Sequence, residues 1–223
     1  MHLYILVHQK MNKFSSKYFS YFPIFGLGLY VIIFTIAVLD YPGGSDNYPN
    51  ATTGYSFFHN FLCDAMNPIT QGGALNEARF MAVISHLILS LSMISFFYIL
   101  PKIFDVKNKN TKLITVFGMA SMIALMFMYT EYHDLIVTIT GVLGAIALIP
   151  FFIELRSFKN KGLKRIAYLC YTLSIIVFLI FETKIGIYYL PIIQKITFFA
   201  DSYWVIWSCL FVIKKNKATL NIA

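Results

Sequence analysis

The stretch FPIFGLGLYVIIFTIAVL, Phe22–Leu39, carries no charged side chain from end to end. At about 1.5 Å of helix per residue it reaches roughly the 30 Å needed to cross a bilayer core. It stops at Asp40-Tyr-Pro-Gly-Gly44, and no small-residue cleavage site follows it. It therefore reads as a retained signal-anchor rather than a removed signal peptide. Upstream lie Lys10, Lys13 and Lys17, and Met11 reads as an alternative start. Downstream, five more apolar runs follow: Met81–Leu100, Leu113–Tyr129, Leu135–Phe152, Ile166–Phe181 and Pro191–Ile213. The pattern predicts an all-α fold, a single integral membrane bundle of six transmembrane helices over residues 1–223.

Composition agrees. Of 223 residues, 58% are hydrophobic and 13% charged, against roughly a quarter charged in a soluble domain. So few charges leave lipid as the solvent for much of the surface. The net charge of +8 does not indicate nucleic acid, because the basic residues sit between apolar runs and form no stripe with interleaved aromatics. Three cysteines make no disulfide framework. All of the eighteen basic residues except Arg79, Lys184 and Lys195 fall in the first tail, the second-to-third loop, the fourth-to-fifth loop and the last tail. The positive-inside rule then places both termini in the cytoplasm. Most acids, and His59, His86 and His133, fall toward the other side.

That outer side holds the one long polar loop, residues 40–78. Within it, Gly54–Asn67 places Ser56, His59, Asn60, Cys63, Asp64 and Asn67 on one helical face and Phe57, Phe58, Phe61, Leu62, Ala65 and Met66 on the other. The spacing predicts a short amphipathic helix, stopped by Pro68. The candidate polar cavity comprises His59, Asp64, His86, Glu131, His133, Asp134 and Asp201. Arg79 and Lys184 are the outer cations able to meet a phosphate headgroup. His86 and Asp201 lie inside apolar runs, where an ionisable group faces the bundle or a wet cavity. For each, a pocket and a satisfied interhelical hydrogen bond remain open. The serine, threonine and glycine seams of the spans read as packing faces. His59, His86, His133 and Asp134 are residue types that bind zinc, but no His-x-x-x-His spacing joins them. Cys63 four residues after His59 is a further nucleophile geometry. Asn50-Ala-Thr52 is a glycosylation sequon on the outer side.

The order of these features (a first span, Tyr41-Pro-Gly-Gly, a loop segment with His59-Asn60 and Cys63-Asp64, a serine-rich second span, and the Glu131–Asp134 turn) resembles a six-span membrane family. That family includes the damage-regulated autophagy modulators, the GPI-anchor lipid-remodelling factor and many bacterial members. The resemblance covers about residues 20–213. It implies a role in lipid or membrane homeostasis, with membrane lipids or a membrane protein as partner, and it carries no catalytic set to these positions. The expected function is binding through an outward polar cavity. A metal-dependent lipid hydrolase, and a small-solute transporter using Asp201, stand as alternatives.

Overall fold

The computed structural model describes residues 19–220; the expectations for Lys10, Lys13, Lys17 and Met11 lie outside them. Six long helices follow in order: α1 Phe22–Ala37, α2 Arg79–Ile99, α3 Lys109–Leu125, α4 His133–Arg156, α5 Lys161–Thr183 and α6 Leu190–Leu220. The described residues contain no strand, only one isolated bridge between Ile69 and Leu75. Each helix occupies one predicted apolar run. Several extend beyond it into charged flanks, because helical hydrogen bonding continues past the last apolar residue.

Five of the helical stretches, Phe22–Asp40, Arg79–Ile103, His133–Arg156, Lys161–Thr183 and Ile187–Ala218, are long and apolar enough to cross a membrane. The protein is thus read as a multi-pass helical membrane protein. α3 is the exception, with 17 residues. Its start is sharply defined: Asn108 caps Thr111, and the Thr111 hydroxyl caps Asn108 in return. Its end comes earlier than the apolar run, which continues to Tyr129. Beyond Leu125 the backbone bonds shorten to three-residue turns, Phe127 to Ala124 and Met128 to Leu125. The Leu125 carbonyl is also claimed from outside the helix, by His86.

Neighbouring helices pack closely from α1 to α4 and again between α5 and α6, while α4 and α5 touch least. Lipid gives no hydrophobic drive between helices, so close fit has to supply the attraction. The small residues do this. A β-carbon on Gly26 of α1 would collide with Ser92 of α2, and one on Gly118 of α3 would collide with the Phe97 ring. Ser85, Ser92 and Ser95 line α2 and are buried. Each returns its hydroxyl to a carbonyl of its own helix, Ala82, Ile88 and Ser92 respectively. They therefore pack without needing a polar partner across the seam.

The largest apolar cluster joins Phe96, Phe151 and Trp204, with ring centroids 5.3 Å and 5.6 Å from the indole. It continues through Phe104 and Phe158 toward the lysine-rich end of the bundle. There Lys215 of α6 donates to the carbonyls of Lys102, Ile103 and Phe104 and pairs with Asp105 at 2.7 Å. Those carbonyls close the chain after α2, and the ammonium satisfies them together. Glu154 accepts from Asn108 and Asn110 at the same end. One end of the bundle thus gathers the basic loops, and the other carries the long loop.

Filling the Gly118 site tests this packing. Gly118→Leu drives a branched side chain into Phe97, and overpacking of this kind costs about 1–3 kcal/mol. Thermal unfolding in detergent, followed by tryptophan fluorescence, should show a lowered midpoint, whereas Gly28→Leu, where nothing lies near the added carbon, should leave it unchanged.

Candidate functional site

The loop between α1 and α2 is built around a buried amine. Lys195 lies in the second turn of α6 and is 2% exposed. Its ammonium donates to the Asn60 carbonyl and, at 3.2 Å, to the Pro191 carbonyl. The rings of Tyr55 and Phe57 lie 5.5 Å and 5.3 Å from it, within cation–π range. Asn60 also faces the opposite way. Its side-chain amide donates to Asp64 at 2.9 Å and to the Gly44 carbonyl at 2.7 Å. A buried cation and a buried carboxylate are thus joined through one asparagine. Leu62 adds a second tie to α6, its N–H donating to Gln194 at 3.0 Å.

The same side chains explain why Gly54–Asn67 departs from the amphipathic helix read from its periodicity. The segment forms successive turns and one short 3-10 turn, Asp64–Met66. The Ser56 N–H bonds the Asn60 side chain at 2.9 Å, and the Phe61 N–H bonds the Asp64 side chain at 2.9 Å. Asn and Asp side chains compete with helical hydrogen bonds in this way. Gly44 is held at positive φ, and a β-carbon there would lie 2.6 Å from the Gly72 nitrogen. Only glycine fits, which gives Tyr41-Pro-Gly-Gly44 a structural reason. The Tyr41 hydroxyl donates to the Gly44 carbonyl at 3.0 Å. Asn76 closes the far end of the loop by donating to the Asp64, Ala65 and Asn67 carbonyls.

Burial sets the electrostatics. Desolvation pushes the Asp64 carboxyl up to about 6, against the opposing pull of Asn60 and the Phe61 N–H. Burial, followed by the Asp64 charge, also raises the Cys63 thiol and the Tyr41 phenol. Both effects disfavour a Cys63 thiolate, and so count against a nucleophile beside His59.

A small pocket of about 210 Å³ opens beside this node, walled by Ser45, Tyr48, Ser56, His59 and Asn60 with Gly44 backbone. The His59 ring meets Tyr48 edge-on at 4.6 Å and lies 6.4 Å from Tyr188. Tyr48 and Tyr188 hydroxyls bond at 3.1 Å, and the Asn47 amide donates to the Tyr188 carbonyl. The loop is therefore tied both to α6 and to the short turn, Ile187–Tyr189, that precedes it.

The other candidates do not join this group. His86 is buried and donates from Nε2 to the Leu125 carbonyl at 2.8 Å. It is the interhelical hydrogen bond, and a carbonyl partner fixes the tautomer. His133 bonds Asp134 at 2.9 Å at the exposed start of α4. Glu131 is exposed on the preceding turn. Asp201 of α6 meets the Cys170 thiol of α5. Arg79 is exposed and donates from Nε to the Met66 carbonyl at 3.2 Å. Lys184 is exposed, with its ammonium 4.1 Å over the Phe181 ring. Of the seven cavity candidates, only His59 and Asp64 reach the loop node and its pocket. Among the described residues no group of three or more His, Cys, Asp or Glu is placed to hold a metal ion. The zinc set His59, His86, His133 and Asp134 is thus not brought together.

Comparison of the chain with known protein families, curated proteins and solved structures finds no match.

Lys195, Gln194, Tyr41 and Asn76 are the loop-organising residues that motif reading passed over. The available signal was Lys195 itself, a charge inside a predicted span, which demands a partner.

Two measurements test the node. Asn60→Leu strips partners from the Ser56 N–H, the Gly44 carbonyl and Asp64 together, at about 1–3 kcal/mol for each buried group left unpaired. Limited proteolysis should then cut within residues 41–78 far faster than in wild type. The second measurement uses pH. A raised folded-state value means the folded chain holds the Asp64 proton more tightly than the unfolded chain. That stabilisation is complete below the ordinary value of 3.8 and is lost as pH rises through about 6. Wild-type stability should fall by up to about 3 kcal/mol across that window. In Asp64→Asn, unfolding titrations should show that fall removed.

Proposed function

We propose that the protein is a six-span integral membrane protein with both termini cytoplasmic, which serves membrane homeostasis by holding lipid headgroups at its outer face. The observation that carries this reading is the pocket beside His59. Hydroxyls of Ser45, Tyr48 and Ser56, an imidazole and backbone amides surround a space small enough for a polar headgroup. The loop that forms it is braced from beneath by Lys195, so the pocket is preformed rather than assembled on contact. Phe57 and Phe58 are exposed beside it, and exposed phenylalanines can bury into the boundary between headgroups and acyl chains. The resemblance to the lipid-remodelling family points the same way.

For the sixth crossing, the support is that α3 exposes Val116 and Ile123 outward as the longer helices expose their own apolar residues. Its 17 residues rise roughly 25 Å. For orientation, the support is the gathering of the basic loops at the end away from the pocket.

A photoreactive phospholipid with its reactive group in the headgroup tests the pocket. Labelling should map to residues 44–60 and fall several-fold in His59→Ala; equal labelling of both proteins would remove the reading. Asn50 tests the orientation independently. It is exposed, so expression in a eukaryotic secretory membrane should add one glycan, lost in Asn50→Gln.

A further inference from the structure

At the end of the bundle away from the pocket, residues between Pro101 and Val116, together with Lys215, wall a cleft of about 900 Å³. Lys102, Lys107, Lys109, Lys112 and Lys215 all line it. Asp105 is the one acid among the lining residues, and it is engaged by Lys215 at 2.7 Å. The nearby Glu154 is engaged by Asn108 and Asn110. Among the described residues, the anions at this cleft are therefore already used. Lys107, Lys109 and Lys112 are exposed and have no ion-pair or hydrogen-bond partner among the described residues. Lys102 and Lys107 repel each other across it. The first turn of α3 carries no acid, so two of these lysines add to the positive field of a helix start. Such an arrangement is unfavourable until an external anion enters.

The cleft is not polar throughout. Its wall runs along α3 to Thr115 and Val116, and Val116 is 60% exposed on the outside of the bundle. Val106, also exposed, borders it. A soluble phosphate would meet the lysines and leave this apolar wall unused. An amphiphile with an anionic head and an acyl chain meets both.

We propose that this cleft binds the headgroup phosphate of an anionic phospholipid on Lys107, Lys109 and Lys112, with the acyl chain lying along Val116. This second lipid site, separate from the His59 pocket, anchors the short helix α3 at the membrane surface. It does not rest on the outer-pocket reading.

Native mass spectrometry of the full chain, released from micelles holding equal phosphatidylglycerol and phosphatidylcholine, tests the site. Wild type should retain phosphatidylglycerol at least tenfold over phosphatidylcholine. Combined Lys107→Gln, Lys109→Gln and Lys112→Gln should reduce that preference to nearly equal retention of the two lipids. The three side chains are exposed, so the variant keeps its fold; circular dichroism checks this. Combined Lys159→Gln, Lys161→Gln and Arg165→Gln, at the neighbouring basic loop, should keep the preference. Equal loss in the Lys159 set would show diffuse surface charge and overturn the site. No preference in wild type would overturn the proposal outright. Displacement of the lipid by millimolar glycerol phosphate would identify a soluble phosphate as the ligand and overturn the lipid assignment.

Discussion

A charged amine buried in an apolar bundle has to find partners, and much of the long-loop end of this protein follows from that. Lys195 cannot reach water, so its protons go to the Asn60 and Pro191 carbonyls and its charge faces two aromatic rings. Meeting that demand requires the loop after α1 to fold back over α6. Asn60 can give up its carbonyl because its side chain is separately engaged with Asp64, Gly44 and the Ser56 N–H. Asp64 in turn fixes the Phe61 N–H. The chain of dependence runs from one ammonium to the shape of the pocket. Buried charges often add little net stability, but removing one partner of such a set is costly.

The opposite end uses a lysine differently. Lys215 gathers three successive carbonyls after α2 and one carboxylate, closing the gap between α2 and α6. One lysine therefore organises a loop at each end of α6. Between them the helix contributes Trp204 to the aromatic centre. α6 is the element that both ends need.

The helices were legible in the sequence because hydropathy is a property of whole segments. An uncharged run such as Phe22–Leu39 has few alternatives. The exact ends were less legible, since His86 and the Leu125 carbonyl meet only after folding. The loop was misread for a definite reason. Asn60 and Asp64 sit four residues apart, as on a helix face, yet their side chains take backbone N–H groups and break the helix that the spacing suggests. His59 and Asp64 do lie in one region, because the turns of the loop bring both to Asn60 and its pocket. His86, His133 and Asp201 shared only a membrane side with them, and a shared side does not bring side chains into contact. Lys195 carried a readable signal, a charge within an apolar run, but its partner lay 135 residues away.

That separation has a consequence for how the protein is made. Residues 41–78 emerge from the ribosome long before α6, and their central asparagine then has no ammonium to accept. The long loop therefore cannot reach its final form until α6 is in place. A loop made early is thus completed only by a helix made much later.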